Sequence, residues 1–539
     1  FSLGDNTYSV MSVSGSEFQF GVFEGSSLKY NSDLSGKDAY EDYGVVTYKN
    51  ADGQWRARVD TDNDKSFADE KEAFDFELSR QYLKLGKAQT LAASVNISKD
   101  GQTVSLVFDD GGHGTHVAGI SAGYTKDGLV GVAPGAQVIG AKIGDSRLAG
   151  GSTTTASMLM AIDYAVEKGA HIINLSYGIR SGSNLGKSAI DSYVDKVAKE
   201  KGVLFSISAG NEGPGLLTVG TPAGVELAIS NAAYLSKETA HDNYGYVNVS
   251  SDKLWYFSSV GPLFDGGLKP TLLAPGTALS SIPPWDQGHA TYSGTSMASP
   301  EVTGGLALLL SAAQQSQLPT DRSTITRAVY LSAKPLDSLM LIEQGHGLMN
   351  VPAALESLTE LKDETPIDFS LSVNSSTSPN GRGKGIYVRG PKLPVNLFTV
   401  QVTPSFNPAT PVVEKNKVRV YRLEASADWI RTTSNFYLTG STRLFRVDIS
   451  PEIEKRPGLY SERVTAYDES GKMAFVLPVT VVIPETLDAR NDYRYQSTVD
   501  IPVGDTIRKF INIPAGSTSV QVSIESDGPM VWGQLLDAE

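Results

Sequence analysis

A chain of 539 residues is too long to fold around one core, so two to four domains are expected. The net charge of -14 argues against a nucleic-acid partner, because phosphate binding needs a basic face. With no cysteine, disulfides, thiolate metal sites and a cysteine nucleophile are excluded, and no apolar run approaches the roughly 18 residues that span a bilayer. The first residue is Phe1 and no signal peptide precedes it, so processing or trimming of the start is expected. Secretion or a periplasmic location suits a cysteine-free chain, with the cytoplasm as the alternative.

Residues 1–100 read as an α+β region. Val45–Tyr48 and Trp55–Val59 flank Asn50-Ala51-Asp52-Gly53, a hairpin signal. Residues 66–84 carry dense charge with spaced Phe and Leu, which predicts a surface helix. Ala93–Ile97 and Thr103–Phe108 alternate like strands around Asp100-Gly101. Asp60, Asp62 and Asp64 are spaced as in calcium loops, where alternate side chains reach one hard cation. Lys65 and Lys71 stand where an EF-hand needs Gly and Glu, leaving a simpler structural calcium site or an acidic solvated turn.

Residues 101–360 alternate strands and helices. Val138–Ile143, Ile172–Ser176 and Val203–Ser208 read as buried strands, with helical patterns at 155–168 and 187–201. Such alternation predicts a parallel sheet covered by helices, with reacting groups at the carboxyl ends of its strands. Residues 361–484 turn to short β-rich runs split by Pro, Gly, Asn and Asp, which predicts a β-sandwich. A polar link then leads to a strand pair at 506–512 and 519–524, read as the start of a further β-rich domain over 485–539.

Three stretches carry chemistry. His113-Gly114-Thr115-His116 opens a helix; the two histidines share a face, but no third ligand nearby supports zinc, and one imidazole as general base is the better reading. Ser208-Ala209-Gly210-Asn211-Glu212-Gly213 ends an apolar strand with an amide donor suited to an oxyanion; alone it would be a plain turn. Gly294-Thr295-Ser296-Met297-Ala298-Ser299-Pro300 precedes an apolar helical run, with Gly294 read as allowing a tight turn. Unpaired N–H groups at that helix start would stabilise an anion beside Ser296, although a capped helix reads the same way.

Taken in this order, the three blocks resemble those of the subtilisin-like serine proteases. Gly131–Ala136, Leu273–Gly276 and Gly345–Val351 also resemble blocks of that family. The resemblance implies a seven-stranded parallel α/β core, with His113 as base, Asn211 as oxyanion donor, Ser296 as nucleophile and His116 structural. It also implies that Ser176, Tyr177 and Gly178 pair with the backbone of a protein or peptide substrate, while Ala209 and Gly210 line the adjoining pocket. No cofactor is required, and structural calcium is the one ion suggested.

The insert before His113, Ile143–Leu148 and Gly385–Arg389 bring the chain nearer to the tripeptidyl peptidase II branch. That branch implies a long insertion between the catalytic Asp and His, and β domains that support assembly into a homo-oligomer. Two departures follow. The Asp-Ser/Thr-Gly block is absent: Val59-Asp60-Thr61-Asp62 is the nearest run, and Asp60 falls within the insertion. The orienting carboxylate is therefore expected upstream of Phe1, on an N-terminal fragment, with Asp109 or Asp110 able to serve only if their loop folds back. In serine proteases, exchanging that carboxylate for an amide costs about 10⁴ in rate.

The second departure concerns two glutamates that hold a free substrate N-terminus in that branch. Here Ile179 and the run Ala149–Thr155 offer no carboxylate. A buried ammonium without a counter-charge is costly, so an endopeptidase is expected. The alternatives are a tripeptidyl aminopeptidase and a catalytically dead peptide-binding scaffold.

Overall fold

The computed structural model describes residues 2–3, 6–9, 13–24, 42–85, 91–108, 111–144, 152–179, 187–283, 288–374 and 381–528, with 531, 533 and 535. They fall into two compact units. The smaller comprises residues 1–116, 140–161 and 281–290; the larger comprises 117–139, 162–280 and 291–539.

In the smaller unit, β1 (Ser16–Phe23), β2 (Tyr43–Lys49) and β3 (Trp55–Val59) form one antiparallel sheet. The β2–β3 hairpin turns where expected, and the Asn50 side chain accepts from the Asp52 and Gln54 amides. A second antiparallel sheet joins β4 (Leu83–Leu85), β5 (Leu91–Ile97) and β6 (Val104–Phe108). Both sheets bury apolar side chains in one cluster that includes Tyr43, Val45, Val59, Leu85 and Val95.

The helix expected over 66–84 does not form; one helical turn, Phe76–Ser79, is all that appears. Ala73 bridges Ala57 in the sheet, while Phe67 and Leu83 bury in separate clusters. The spaced apolar residues thus serve sheet faces rather than one helical stripe.

Two helices open the α/β part: α1 (His113–Ala122) and α2 (Thr155–Glu167). The larger unit then runs β7 (Ile172–Leu175), α3 (Ala189–Lys201), β8 (Leu204–Ser208), β9 (Ile229–Leu235) and β10 (Leu272–Pro275). Ser188 caps α3 through a reciprocal capping box with Asp191, satisfying amides that lack intrahelical partners.

Strands β7, β8, β9 and β10 are parallel in that order, and Lys253–Leu254 pairs antiparallel to β9. Among the described residues, then, the sheet has four parallel strands rather than seven. Val138–Ile143 is not a strand: it runs without ladder pairing, with Val138 58% and Ile139 37% exposed. An apolar run becomes a strand only when a neighbouring strand supplies a backbone ladder, and no strand among the described residues pairs with it; the Ile143 carbonyl is taken by the Thr153 hydroxyl instead.

Helix α4 (Thr295–Gln315) packs Val302, Leu306 and Leu309 against Leu204, Ile229 and Leu272 of the sheet. Helices α5 (Arg322–Ser332), α6 (Leu341–Gln344) and α7 (Val351–Glu360) complete the α/β part.

A sandwich of two five-stranded sheets follows. One sheet contains β11 (Ile367–Asn374), β13 (Leu397–Phe406) and β16 (Arg443–Ile449). The other contains β12 (Ile386–Arg389), β14 (Arg419–Ala425), β15 (Asn435–Leu438), β17 (Gly458–Tyr467) and β18 (Met473–Ile483). Alternate residues of both sheets, such as Val400, Val402, Leu477 and Val479, bury in a shared core.

Charged groups tie the sandwich to α5. Arg327 donates to Glu364, Asp468 and the Met473 carbonyl, and Arg322 pairs with Asp368. Beyond the sandwich, β19 (Glu485–Thr486) pairs in parallel with β20 (Ile511–Asn512). The strand pair expected at 506–512 and 519–524 is absent. Val520, Val522 and Ile524 are 50–60% exposed, so their alternation meets no second apolar layer.

Candidate active site

Ser296 stands in the first turn of α4, half-buried, and its hydroxyl makes one long hydrogen bond, 3.5 Å to the Ser176 carbonyl. Such a bond is at the limit of hydrogen bonding and leaves the oxygen loosely held. The Ser296 N–H has no acceptor among the described residues, as expected at a helix start.

The next turn of the helix explains a second contact. The Ser296 carbonyl would normally accept from residue 300, but Pro300 has no N–H. The Ser176 hydroxyl donates to it instead, at 2.8 Å. Asn174 donates to the Ser176 hydroxyl and accepts from Ser299 and Thr303. A polar network at the end of β7 therefore fixes the first turns of α4.

Asn211 follows β8 and is exposed, on a loop whose other residues are buried or half-buried. Its Oδ1 accepts from the Thr295 N–H at 3.0 Å and the Thr295 hydroxyl at 2.9 Å. A backbone N–H can only donate, so the atom facing it must be the amide oxygen; Nδ2 is turned the other way. No acceptor among the described residues is bonded to Nδ2.

A Cβ placed on Gly294 would lie 3.6 Å from Asn211 Nδ2 and 3.6 Å from Ser296 N. The two donors thus flank the space that glycine leaves open. Gly294 has φ 167°, extended backbone open to any residue, so the tight turn expected there is not what glycine provides. What it provides is room.

Thr295 is the residue that sequence reasoning missed. Its place directly before the serine was the signal, but its partner lies far away in the chain.

Ala209 is buried, and its N–H and C=O bond to Asn231 and Gly220. Gly210 has φ +115°, and a side chain there would meet Glu212 and Ser259. The Gly210 N–H donates to the Thr295 hydroxyl. Tyr177 is half-buried and Gly178 exposed; Ile179 bridges Thr221 and exposes 63% of its surface. Asn211, Thr295, Ser296, Ser176 and Gly210 are therefore brought together within the larger unit.

His113 is the first residue of α1 and is exposed as a residue. Surrounding protein lowers its pKa below the ordinary histidine value, and the neighbouring His116 pushes the same way. No carboxylate among the described residues acts on it; Asp109 and Asp110 lie outside them. His116 is fully buried, with Nε2 2.9 Å from the Ala290 carbonyl, which assigns that nitrogen the proton.

Asp60, Asp62 and Asp64 bring carboxylate oxygens within 4.8 Å of one another. Asp60 is buried and accepts from the Asp64 and Lys65 amides, an arrangement that also closes a simple turn. Burial pushes Asp60 up to about 6 and nearby Glu70 up to about 7.

The subtilase family model matches residues 57–347, more than half of the chain. The chain belongs to the subtilase family. Its sheet and helices are those of the subtilase fold. Residues 367–482 match the first Ig-like domain of tripeptidyl-peptidase II.

Tripeptidyl-peptidase 2 of Oryza sativa subsp. japonica is 31% identical over 516 residues, 91% of this chain and 38% of the relative. Pyrolysin of Pyrococcus furiosus is 29% identical over 534 residues, 86% of this chain and 37% of pyrolysin. The crystal structure of tripeptidyl peptidase 2 superposes with a TM-score of 0.67 at 30% identity, covering 84% of this chain and 36% of that one. The chain thus spans a little over a third of the length of these relatives. Among the described residues no helix is long and apolar enough to cross a membrane.

Proposed function

We propose that this chain forms the peptidase core of a serine endopeptidase acting through an acyl-enzyme. His113 takes the Ser296 hydroxyl proton as the oxygen attacks a peptide carbonyl. Asn211 Nδ2 and the Ser296 N–H donate to the oxyanion that results. His113 then gives its proton to the departing amine, and water repeats the sequence on the ester. The substrate lies extended along Ser176, Tyr177 and Gly178 on one side and Ala209 and Gly210 on the other, bound largely through its backbone. The observation that carries this reading is the amide orientation of Asn211, fixed by Thr295, with Nδ2 and the Ser296 N–H beside one open space.

Endoproteolysis is favoured by the exposed Ile179, which stands where the tripeptidyl peptidase II pattern has a glutamate. The second reading, a tripeptidyl aminopeptidase, is favoured by the relatives of that name. Orientation of His113 calls for a carboxylate that the described residues do not bring to it, and we assign it to a separate N-terminal segment. The outer edge of β7, unpaired among the described residues, suits such a segment. Self-assembly, secretion or periplasmic location, and structural calcium at Asp60, Asp62 and Asp64 complete the proposal. Sedimentation, cell fractionation (with the cytoplasm as the other outcome) and calcium-dependent melting test these three.

A serine-directed phosphonate decides the main claim. Labelling of Ser296, lost in Ser296→Ala, is expected, together with cleavage of N-terminally blocked peptides. Absence of labelling with the N-terminal segment present leaves the scaffold reading. Cleavage restricted to free N-termini selects the aminopeptidase.

A further inference from the structure

The segment that follows the sandwich returns to the α/β part. It is anchored where β20 pairs with β19, with the Phe510 carbonyl accepting from Glu485. Most of its apolar side chains stay near 40% exposed, including Val499, Ile501, Val503 and Ile507. Its inward contacts are charged. Asp505 pairs with Lys253, which is 5% exposed. Arg508, its side chain 13% exposed, donates through Nε to the Pro214 carbonyl at 2.7 Å and through Nη1 to Glu343 at 2.7 Å. Glu343, in α6, is itself buried and accepts from the Met340 amide.

Pro214 belongs to the loop that carries Asn211. On its inner side that loop is held by the Gly213 N–H to the Phe257 carbonyl, the Glu212 N–H to the Ser259 hydroxyl, and the Thr218 hydroxyl to the Gly215 carbonyl. Proline has no N–H, so its carbonyl is the one backbone group with which Pro214 can be tied, and Arg508 ties it. A guanidinium fork with one prong on a carboxylate and one on a carbonyl fixes both position and angle.

We propose that Arg508 is a positioning residue for the oxyanion loop, so that the segment after the sandwich sets the aim of the Asn211 amide. This rests on the reading of Asn211 as an oxyanion donor. Removing the guanidinium leaves one oxygen of a buried carboxylate and a carbonyl without a donor on opposite sides of one gap, and the loop relaxes toward water. Because displacement by about 1 Å can cost up to ~100-fold in rate, a partial shift is expected to cost roughly tenfold.

The test uses the intact protein, with active sites counted by phosphonate labelling. Arg508→Met is expected to lower kcat about tenfold with KM within about twofold, and Arg508→Lys to recover part of the loss. In an Asn211→Ala background the same change is expected to alter kcat less than about twofold, since there is no donor left to aim. An equal loss in both backgrounds, or a change in KM alone, overturns the proposal. Hydrogen exchange at the amides of residues 211–213 and 215–217 should quicken in Arg508→Met without quickening in α4; unchanged loop exchange also overturns it. Should Arg508→Met fail to fold, Glu343→Gln decides by the same criteria. If the parent protein takes no label at Ser296, the peptidase reading falls first and this proposal with it. A labelled parent with additive losses removes this proposal alone.

Discussion

The bond from Ser176 to the Ser296 carbonyl makes a quantitative test of how α4 is held. Pro300 deprives that carbonyl of its helical donor, and the Ser176 hydroxyl replaces it at 2.8 Å. Ser176→Ala removes this bond and the one from Asn174 at 3.1 Å. A net hydrogen bond contributes about 1 kcal/mol, and a carbonyl left without a donor costs about 1–3 kcal/mol when buried. The site is half-buried, so the expected loss is about 1–2 kcal/mol. Pro300→Ala returns an N–H to the helix. In that background the Ser176→Ala loss is expected to shrink by about 1 kcal/mol. The assay is amide hydrogen exchange in the first turns of α4, with urea unfolding as a check on the whole domain. If Ser176→Ala costs the same whether residue 300 is Pro or Ala, the argument from the missing N–H is wrong.

Three other outcomes are expected. Gly294→Ala fits sterically, at contacts of 3.6 Å and with φ 167°, yet it fills the space between the two donors. It should keep its melting temperature and lose roughly 10²-fold in kcat, and full activity would refute the placement of the oxyanion. His113 works as a base only when neutral, and its pKa lies below the ordinary 6.5, so phosphonate labelling of this chain should persist below that pH and fail as the ring protonates. Supplying the orienting carboxylate should move that limb upward; a limb already above 6.5 in its absence would contradict the reading. Glu70 is raised from 4.5 to about 7, so the folded state holds its proton more tightly than the unfolded chain, and its contribution falls as pH rises between these values. Glu70→Gln should therefore raise the melting temperature at pH 8 and leave it unchanged at pH 4, with an equal gain at both pH values as the refuting result.

Elements whose signals are local were legible in the sequence. The strands at 172–175 and 204–208 are short buried runs bounded by turn residues, and α3 begins where Ser188 and Asp191 cap each other. Elements that depend on a distant partner were not. The 66–84 segment has helical spacing, but Ala73 is taken up by a bridge to Ala57. Val138–Ile143 has strand composition without a ladder to join.

The same divide runs through the candidate site. Asn211, Ser296 and His113 stand in blocks dense with small residues, which betray close backbone approach. Thr295 and Arg508 act through bonds to residues remote in sequence, and no local pattern announces those.

The three acceptors around Arg327 have a practical corollary for anyone trimming the gene. One of them, Glu364, sits in the link, while Asp468 and the Met473 carbonyl belong to the sandwich. A stop codon placed after α7 would therefore strip Arg327 of all three acceptors and Arg322 of its partner Asp368. The truncated product is expected to melt below the full chain, and the shortest version that keeps these bonds and the whole sandwich should end after β18 at the earliest.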